Sequence, residues 1–190
     1  MKKNIFAAAL TIAASFAFSA EASPYAPVYF KSVQYAGTGC KPSSAVVVGK
    51  GFSIMTIALD KYDAANPRSK ARSKMERASC NFTVPIHATR GYQVSVMTIT
   101  WRGYTKGSTE LRREYFIADQ RGAAKTSHHS GRFIKQDNLP KSYFSQCGQN
   151  VTLRINSSVR ATDPNSYIAV GKTEQSGKMT FQLKWRKCHS

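Results

Sequence analysis

Apolar residues recur at every second position through much of the chain. Cys80, Phe82, Val84 and Ile86 share one phase, as do Val151, Leu153, Ile155 and Val159, and again Met179, Phe181, Leu183 and Trp185. A period of two puts each set on one face of a strand, with Thr152, Arg154, Asn156 and Arg160, and Lys178, Gln182, Lys184 and Arg186, on the opposite faces. In Gln93 to Tyr104 the apolar phase slips from Val94 and Val96 to Ile99 and Trp101, which predicts a β-bulge near Thr98. Apolar residues on both faces place this segment in the middle of a covered sheet. It ends at Trp101-Arg102-Gly103-Tyr104, read as a corner in which Gly103 lets the chain turn sharply.

The remaining segments are shorter. Val28 to Tyr35 is β-branched and aromatic and runs into Gly37-Thr38-Gly39-Cys40, a turn and not a phosphate loop, because no Gly-Lys-Ser/Thr follows it. Ala45 to Val48 and Phe52 to Leu59 flank Gly49-Lys50-Gly51 as a hairpin. Lys61 to Ser79 carries no strand pattern. Pro85 suits an edge strand or a strand end. Leu111 to Ala118 reads as a strand, Phe133-Ile134 and Tyr143-Phe144 as short ones, and Asp163-Pro164-Asn165 as a turn. Nine or ten short strands without an amphipathic helix predict an all-β fold, an antiparallel β-sandwich of jelly-roll or Ig-like type, with a closed β-barrel as the alternative.

Residues 1–22 read as a cleaved signal peptide. Lys2 and Lys3 form the basic start, Ile5 to Phe18 the apolar stretch and Ala20-Glu21-Ala22 the cleavage pattern. Residues 23–190 are then expected to form a single secreted domain, in the periplasm or the medium, with no later transmembrane segment. Export makes two disulfides the expectation for Cys40, Cys80, Cys147 and Cys188; three pairings are open, and no C-x-x-C spacing favours zinc.

The 190 residues hold 28 Lys plus Arg against 10 Asp plus Glu, and removing Lys2, Lys3 and Glu21 takes the formal charge from +18 to +17. Such a charge selects acidic partners: a polyanion or an anionic envelope surface. The clearest basic run is Arg68, Lys70, Arg72 and Lys74, whose alternation on an extended backbone puts four cations on one edge. A second polar segment supplies Arg121, Lys125 and Arg132. Aromatics near basic residues, Tyr104 with Lys106, Tyr115 with Arg112 and Arg113, and Tyr143 with Lys141, offer faces for bases or sugar rings. These residues make a non-catalytic binder of nucleic acid, acidic glycan or anionic envelope the first reading. A secreted hydrolase of an anionic polymer using His128 or His129 is the alternative. No catalytic motif, metal set or cofactor signature is present, Glu110 and Glu114 read as salt-bridged surface, and no protein partner can be inferred. The sequons at Asn81, Asn150 and Asn156 fall in predicted strands.

The ordered landmarks Gly37-Thr38-Gly39-Cys40, Cys80 after Arg77, Trp101-Arg102-Gly103-Tyr104, Tyr115-Phe116, Ser145-Gln146-Cys147-Gly148 and Trp185-Arg186-Lys187-Cys188 resemble an uncharacterised family of small secreted microbial proteins, domain of unknown function number 4360, from about Val28 to Cys188. The chain departs from the family pattern at Lys41-Pro42-Ser43, at Gln146, and near Phe133, where a Phe-x-Gly-Pro segment is missing. The resemblance implies a secreted, disulfide-bonded β domain. It implies no activity, and no catalytic residue carries over.

Overall fold

The structure, a computed structural model, describes residues 27–31, 33–40, 45–48, 53–59, 62–66, 76–117, 120–139, 144–171 and 178–189. Among them are fourteen strands and no helix: β1 (Val28–Phe30), β2 (Gln34–Ala36), β3 (Ala45–Val48), β4 (Ile54–Ala58), β5 (Tyr62–Asn66), β6 (Arg77–Ala88), β7 (Tyr92–Lys106), β8 (Thr109–Ile117), β9 (Gln120–Arg121), β10 (Lys125–Ser127), β11 (Gly131–Asn138), β12 (Val151–Ala161), β13 (Ser166–Val170) and β14 (Lys178–Lys187). The expected signal peptide and the run Arg68 to Lys74 lie outside the described residues.

The strands form two separate antiparallel sheets. The first runs β1-β6-β12-β8-β10, with β2 also on β6 and β9 also on β8; the second runs β3-β4-β14-β7-β13-β5, with β11 also on β7. No described strand belongs to both, so the fold is a sandwich and the barrel alternative falls. Between the sheets lies one apolar core, with Trp101, Phe82, Phe181, Met55, Ile99 and Leu153 fully buried. The disulfides pair Cys40 with Cys80 and Cys147 with Cys188. Each closes a loop of about forty residues and by restricting the unfolded chain contributes about 2–4 kcal/mol.

The alternating segments lie where the pattern puts them. On β6, Cys80, Phe82, Val84 and Ile86 are buried, and on β12 Val151, Leu153, Ile155 and Val159 are. β7 is the middle strand of its sheet. Ile99 pairs with Phe181 on one edge and Asp137 on the other, and position 103 with Val170 and Phe133. The bulge is present as well: Gln182 pairs with Thr98 and Leu183 with Val96, so the ladder skips position 97.

Gly103 is a correction. β7 continues straight through it to Lys106, and the chain turns at Gly107, whose φ is 69°. What excludes a side chain at 103 is crowding: a Cβ there would lie 2.3 Å from the Ala169 carbonyl oxygen and 2.7 Å from the Phe133 ring. Pro85 is a second correction, since it lies inside β6 and not at an end. Its carbonyl accepts from the Lys31 amide, so its missing N–H faces the gap where β1 stops at Phe30 and β2 has not begun.

Four segments read poorly from sequence. β5 and β13 pair with each other along the rim of the second sheet, and neither is expected from the pattern of its own stretch. Their Asp, Ala, Asn and Ser residues have low strand propensity, and tertiary pairing overrides it. Tyr62 on β5 is buried and donates to Ser157 Oγ at 2.8 Å, which in turn donates to the Cys80 carbonyl at 2.6 Å, tying the two sheets together. Phe133-Ile134 lies within an eight-residue strand, and Phe144 is not in a strand. Three strands are also longer than expected, at 12, 15 and 11 residues for β6, β7 and β12.

Candidate functional site

Two regions of one sheet face and one buried network hold the charged chemistry. The network lies where the sheets meet along β8, β10 and β11. β8 buries Leu111, Arg113, Tyr115 and Ile117 on its inner phase, so a guanidinium enters the core beside apolar neighbours. Arg113 Nε donates to Asp137 Oδ2 at 2.7 Å, and Nη1 donates to the Leu111 carbonyl and to Ser127 Oγ, both at 2.7 Å. Trp101 Nε1 donates to the Tyr115 hydroxyl at 2.8 Å, and that hydroxyl donates to Asp137. Burial, with the Asp137 charge added to it, pushes the Tyr115 phenol well above its usual value. An open cleft of about 600 Å³ lies over this pair, with Lys125 and Lys135 at its walls. Lys125 Nζ stands 3.9 Å from Asp137 Oδ1.

His129 reaches the same network. Its Nε2 is 2.8 Å from Ser127 Oγ and its ring stacks on Phe133 at 4.1 Å. Desolvation first, then Arg113, Lys135 and His128, hold its pKa below the ordinary histidine value. His128 faces solvent and donates from Nδ1 to the Thr109 carbonyl at 2.9 Å.

Both regions lie on the outer face of the first sheet. β6, β12 and β8 bring Arg77, Arg160 and Glu110 into one cross-strand row and Ser79, Ser158 and Arg112 into the next. Arg77 stands directly opposite Arg160, an arrangement that costs stability through like-charge repulsion. Arg77 Nη2 donates weakly to Ser158 Oγ at 3.4 Å; Arg112 and Arg160 make no ion pair among the described residues. This cluster lies at the end of β6 that the run Arg68 to Lys74 leads into.

At the other end of that face a groove of about 700 Å³ runs beneath the segment before β12. Gln120, Gln146, Gln149 and Asn150 line it together with Arg154 and the ring of Phe144. The Arg186 guanidinium covers Phe144, 4.0 Å from the ring centroid. Asn150 Oδ1 accepts from the Ala88 amide, which fixes the side chain and leaves its NH₂ to donate.

The cations expected from sequence do not converge. Arg121 bonds to Glu114 at 2.6 Å on the outer face of the first sheet, Lys125 lies in the inter-sheet cleft, and Arg132 pairs with Tyr104 on the second sheet. Glu114 is thus salt-bridged, whereas Glu110 forms no ion pair among the described residues. Tyr115 is buried and offers no stacking face; Tyr104 is exposed, and Tyr143 lies outside the described residues. Sequence reading put Arg113 with Arg112 beside an exposed Tyr115, whereas Arg113 and Tyr115 are both buried, and it missed Lys135 and Asp137. Their signal was a charged residue in the apolar phase of an alternating strand, after Leu111 on β8 and after Phe133 on β11.

Fold and composition together define a basic, disulfide-bonded β-sandwich of the secreted class. The family model described as "Domain of unknown function (DUF4360)" matches residues 26–188, and the chain belongs to that family. An "Uncharacterized secreted protein" of Arthroderma benhamiae (strain ATCC MYA-4681 / CBS 112371) is 30% identical over 178 residues, covering 85% of this chain and 72% of the relative. Export is therefore common to both: the protein is secreted, and no helix among the described residues is long and apolar enough to cross a membrane. Among solved structures, TmCBM61 in complex with beta-1,4-galactotriose aligns with a TM-score of 0.34 and 9% identity, covering 84% of this chain and 91% of that one. A likeness at that level carries no argument about this chain.

Proposed function

We propose that this protein is a secreted, non-catalytic binder of anionic polymers, with Arg77, Arg112 and Arg160 at the centre of the contact surface. The observation that supports this reading is the placement of Arg77 directly opposite Arg160 on an exposed sheet face, beside Arg112, with Glu110 the one carboxylate in the row and in no ion pair among the described residues. Like charges held together in the folded state are relieved when an anion lies between them, so the repulsion becomes binding free energy. The run Arg68, Lys70, Arg72 and Lys74 precedes β6 in sequence and adds to the positive charge of the chain. Lys125 and Arg132 act from other surfaces, as long-range attraction and not as one site, while Arg121, on the same face, is held by Glu114.

The test uses the purified secreted protein, with heparin and single-stranded DNA as probes. Replacing Arg77, Arg112 and Arg160 with Ser should lower affinity for both by at least about tenfold, as expected for three lost anion contacts. A triple variant that binds both as the parent does would overturn the proposal.

Hydrolysis of the polymer is the second reading, favoured by the 2.8 Å contact between Ser127 Oγ and His129 Nε2 and by a pKa that keeps His129 neutral near pH 7. Against it, Ser127 Oγ already accepts from Arg113 Nη1 and the imidazole is packed on Phe133. Release of soluble fragments from either polymer, abolished by His129→Ala, would favour this second reading.

A further inference from the structure

Resting on the binding reading above, we infer that the anionic polymer is a polysaccharide carrying uronic acids, read by the groove at the Phe144 end of the outer sheet face. The lining has a different chemistry from the rest of this cationic molecule. Gln120, Gln146 and Gln149 are exposed, and their side chains make no hydrogen bond among the described residues, while Asn150 presents an anchored NH₂. Carboxamides both donate and accept, and so match the vicinal hydroxyls of a sugar ring better than a phosphate, which only accepts. Phe144, held in place by Arg186 on one face, adds an apolar wall of the kind a pyranose ring packs on. The guanidinium of Arg154 is planar and suits a carboxylate.

The groove and the arginine cluster lie on one continuous line. β12 carries Thr152 and Arg154 at the groove and Ser158 and Arg160 at the cluster, all on its outer face. From Thr152 to Arg160 is about 27 Å at the usual strand rise, the reach of a short oligosaccharide. A chain of alternating hydroxyl and carboxylate groups thus finds carboxamides at one end and guanidinium groups at the other. Nucleic acid would use only the second.

Binding of an oligogalacturonate and of single-stranded DNA of equal charge is compared by calorimetry for the full protein and for Gln146→Ala/Gln149→Ala, two exposed side chains whose loss leaves the core intact. The double variant should bind the uronate about tenfold more weakly, as expected for two lost hydrogen bonds, and DNA within about twofold of the parent. Equal binding of the uronate by parent and variant, or a parent that prefers DNA, would overturn the groove assignment while leaving the arginine surface standing. If the parent binds neither polymer, the reading beneath it falls and this one with it.

Discussion

Arg113 and the pair Arg77 and Arg160 are the same side chain put to opposite uses. Arg113 is fully buried, and it donates to a carboxylate, a carbonyl and a hydroxyl; every one of these partners is fixed by the fold. Arg77 and Arg160 are exposed, face each other across a strand pair and gain only a 3.4 Å contact to a serine. A guanidinium already satisfied inside the protein has nothing left for a ligand. One held against a like charge, and in no ion pair among the described residues, has electrostatic gain still to make, and an outside anion supplies it. Positive charge alone therefore does not locate a site on this molecule; unsatisfied positive charge does.

The contrast can be broken at its buried end with the largest effect. Asp137→Ala strands the Arg113 charge and removes the acceptor of Tyr115, and should cost about 3–5 kcal/mol of stability, read from a lowered urea midpoint. Replacing Arg113 and Asp137 together with Met and Leu should recover most of that loss, because it is the orphaned charge and not the absent pair that destabilises. On the exposed end the effect nearly vanishes. Arg160→Ser should leave stability within a few tenths of a kcal/mol of the parent, since it removes a like charge opposed to Arg77 together with the unlike charge across from Glu110. An Arg160→Ser protein that melts several degrees lower would place this residue among the structural ones.

Between these lies the tyrosine that joins the sheets. Tyr62→Phe should cost about 1 kcal/mol at neutral pH by deleting one buried hydrogen bond. Burial raises the Tyr62 and Tyr115 pKa values above 10.0 in the folded state, so the unfolded chain gives up those protons first as pH rises. The stability they contribute is complete below pH 10 and declines above it, and Tyr62→Phe should shallow that decline in unfolding curves. The smallest effect is on the acid side. The folded-state pKa of His129 is depressed, so its contribution is present above about pH 6.5 and fades as pH falls through the depressed value; His129→Gln should flatten that slope.

What could be read from sequence follows from how local each cause is. Alternation on β6, β12 and β14 and the phase slip on β7 are written in neighbouring residues, so the long strands and the bulge were legible. β5 and β13 depend on each other, and nothing in Tyr-Asp-Ala-Ala-Asn or Ser-Tyr-Ile-Ala-Val alone announces that pairing. The site is less local still. Arg77 and Arg160 are 83 positions apart and become neighbours only through the β6–β12 register, just as Arg113 meets Asp137 only when β8 and β11 close the sandwich. Composition gave the sign of the partner's charge; strand register decides which cations are left to meet it.

The most direct measurement is the dependence of heparin and DNA affinity on salt concentration, for the parent and for Arg77→Ser/Arg160→Ser. Each anion contact contributes close to one unit to the slope of log affinity against log salt, so the double variant should be shallower by about two. An unchanged slope would contradict the claim that these opposed arginines form the binding surface.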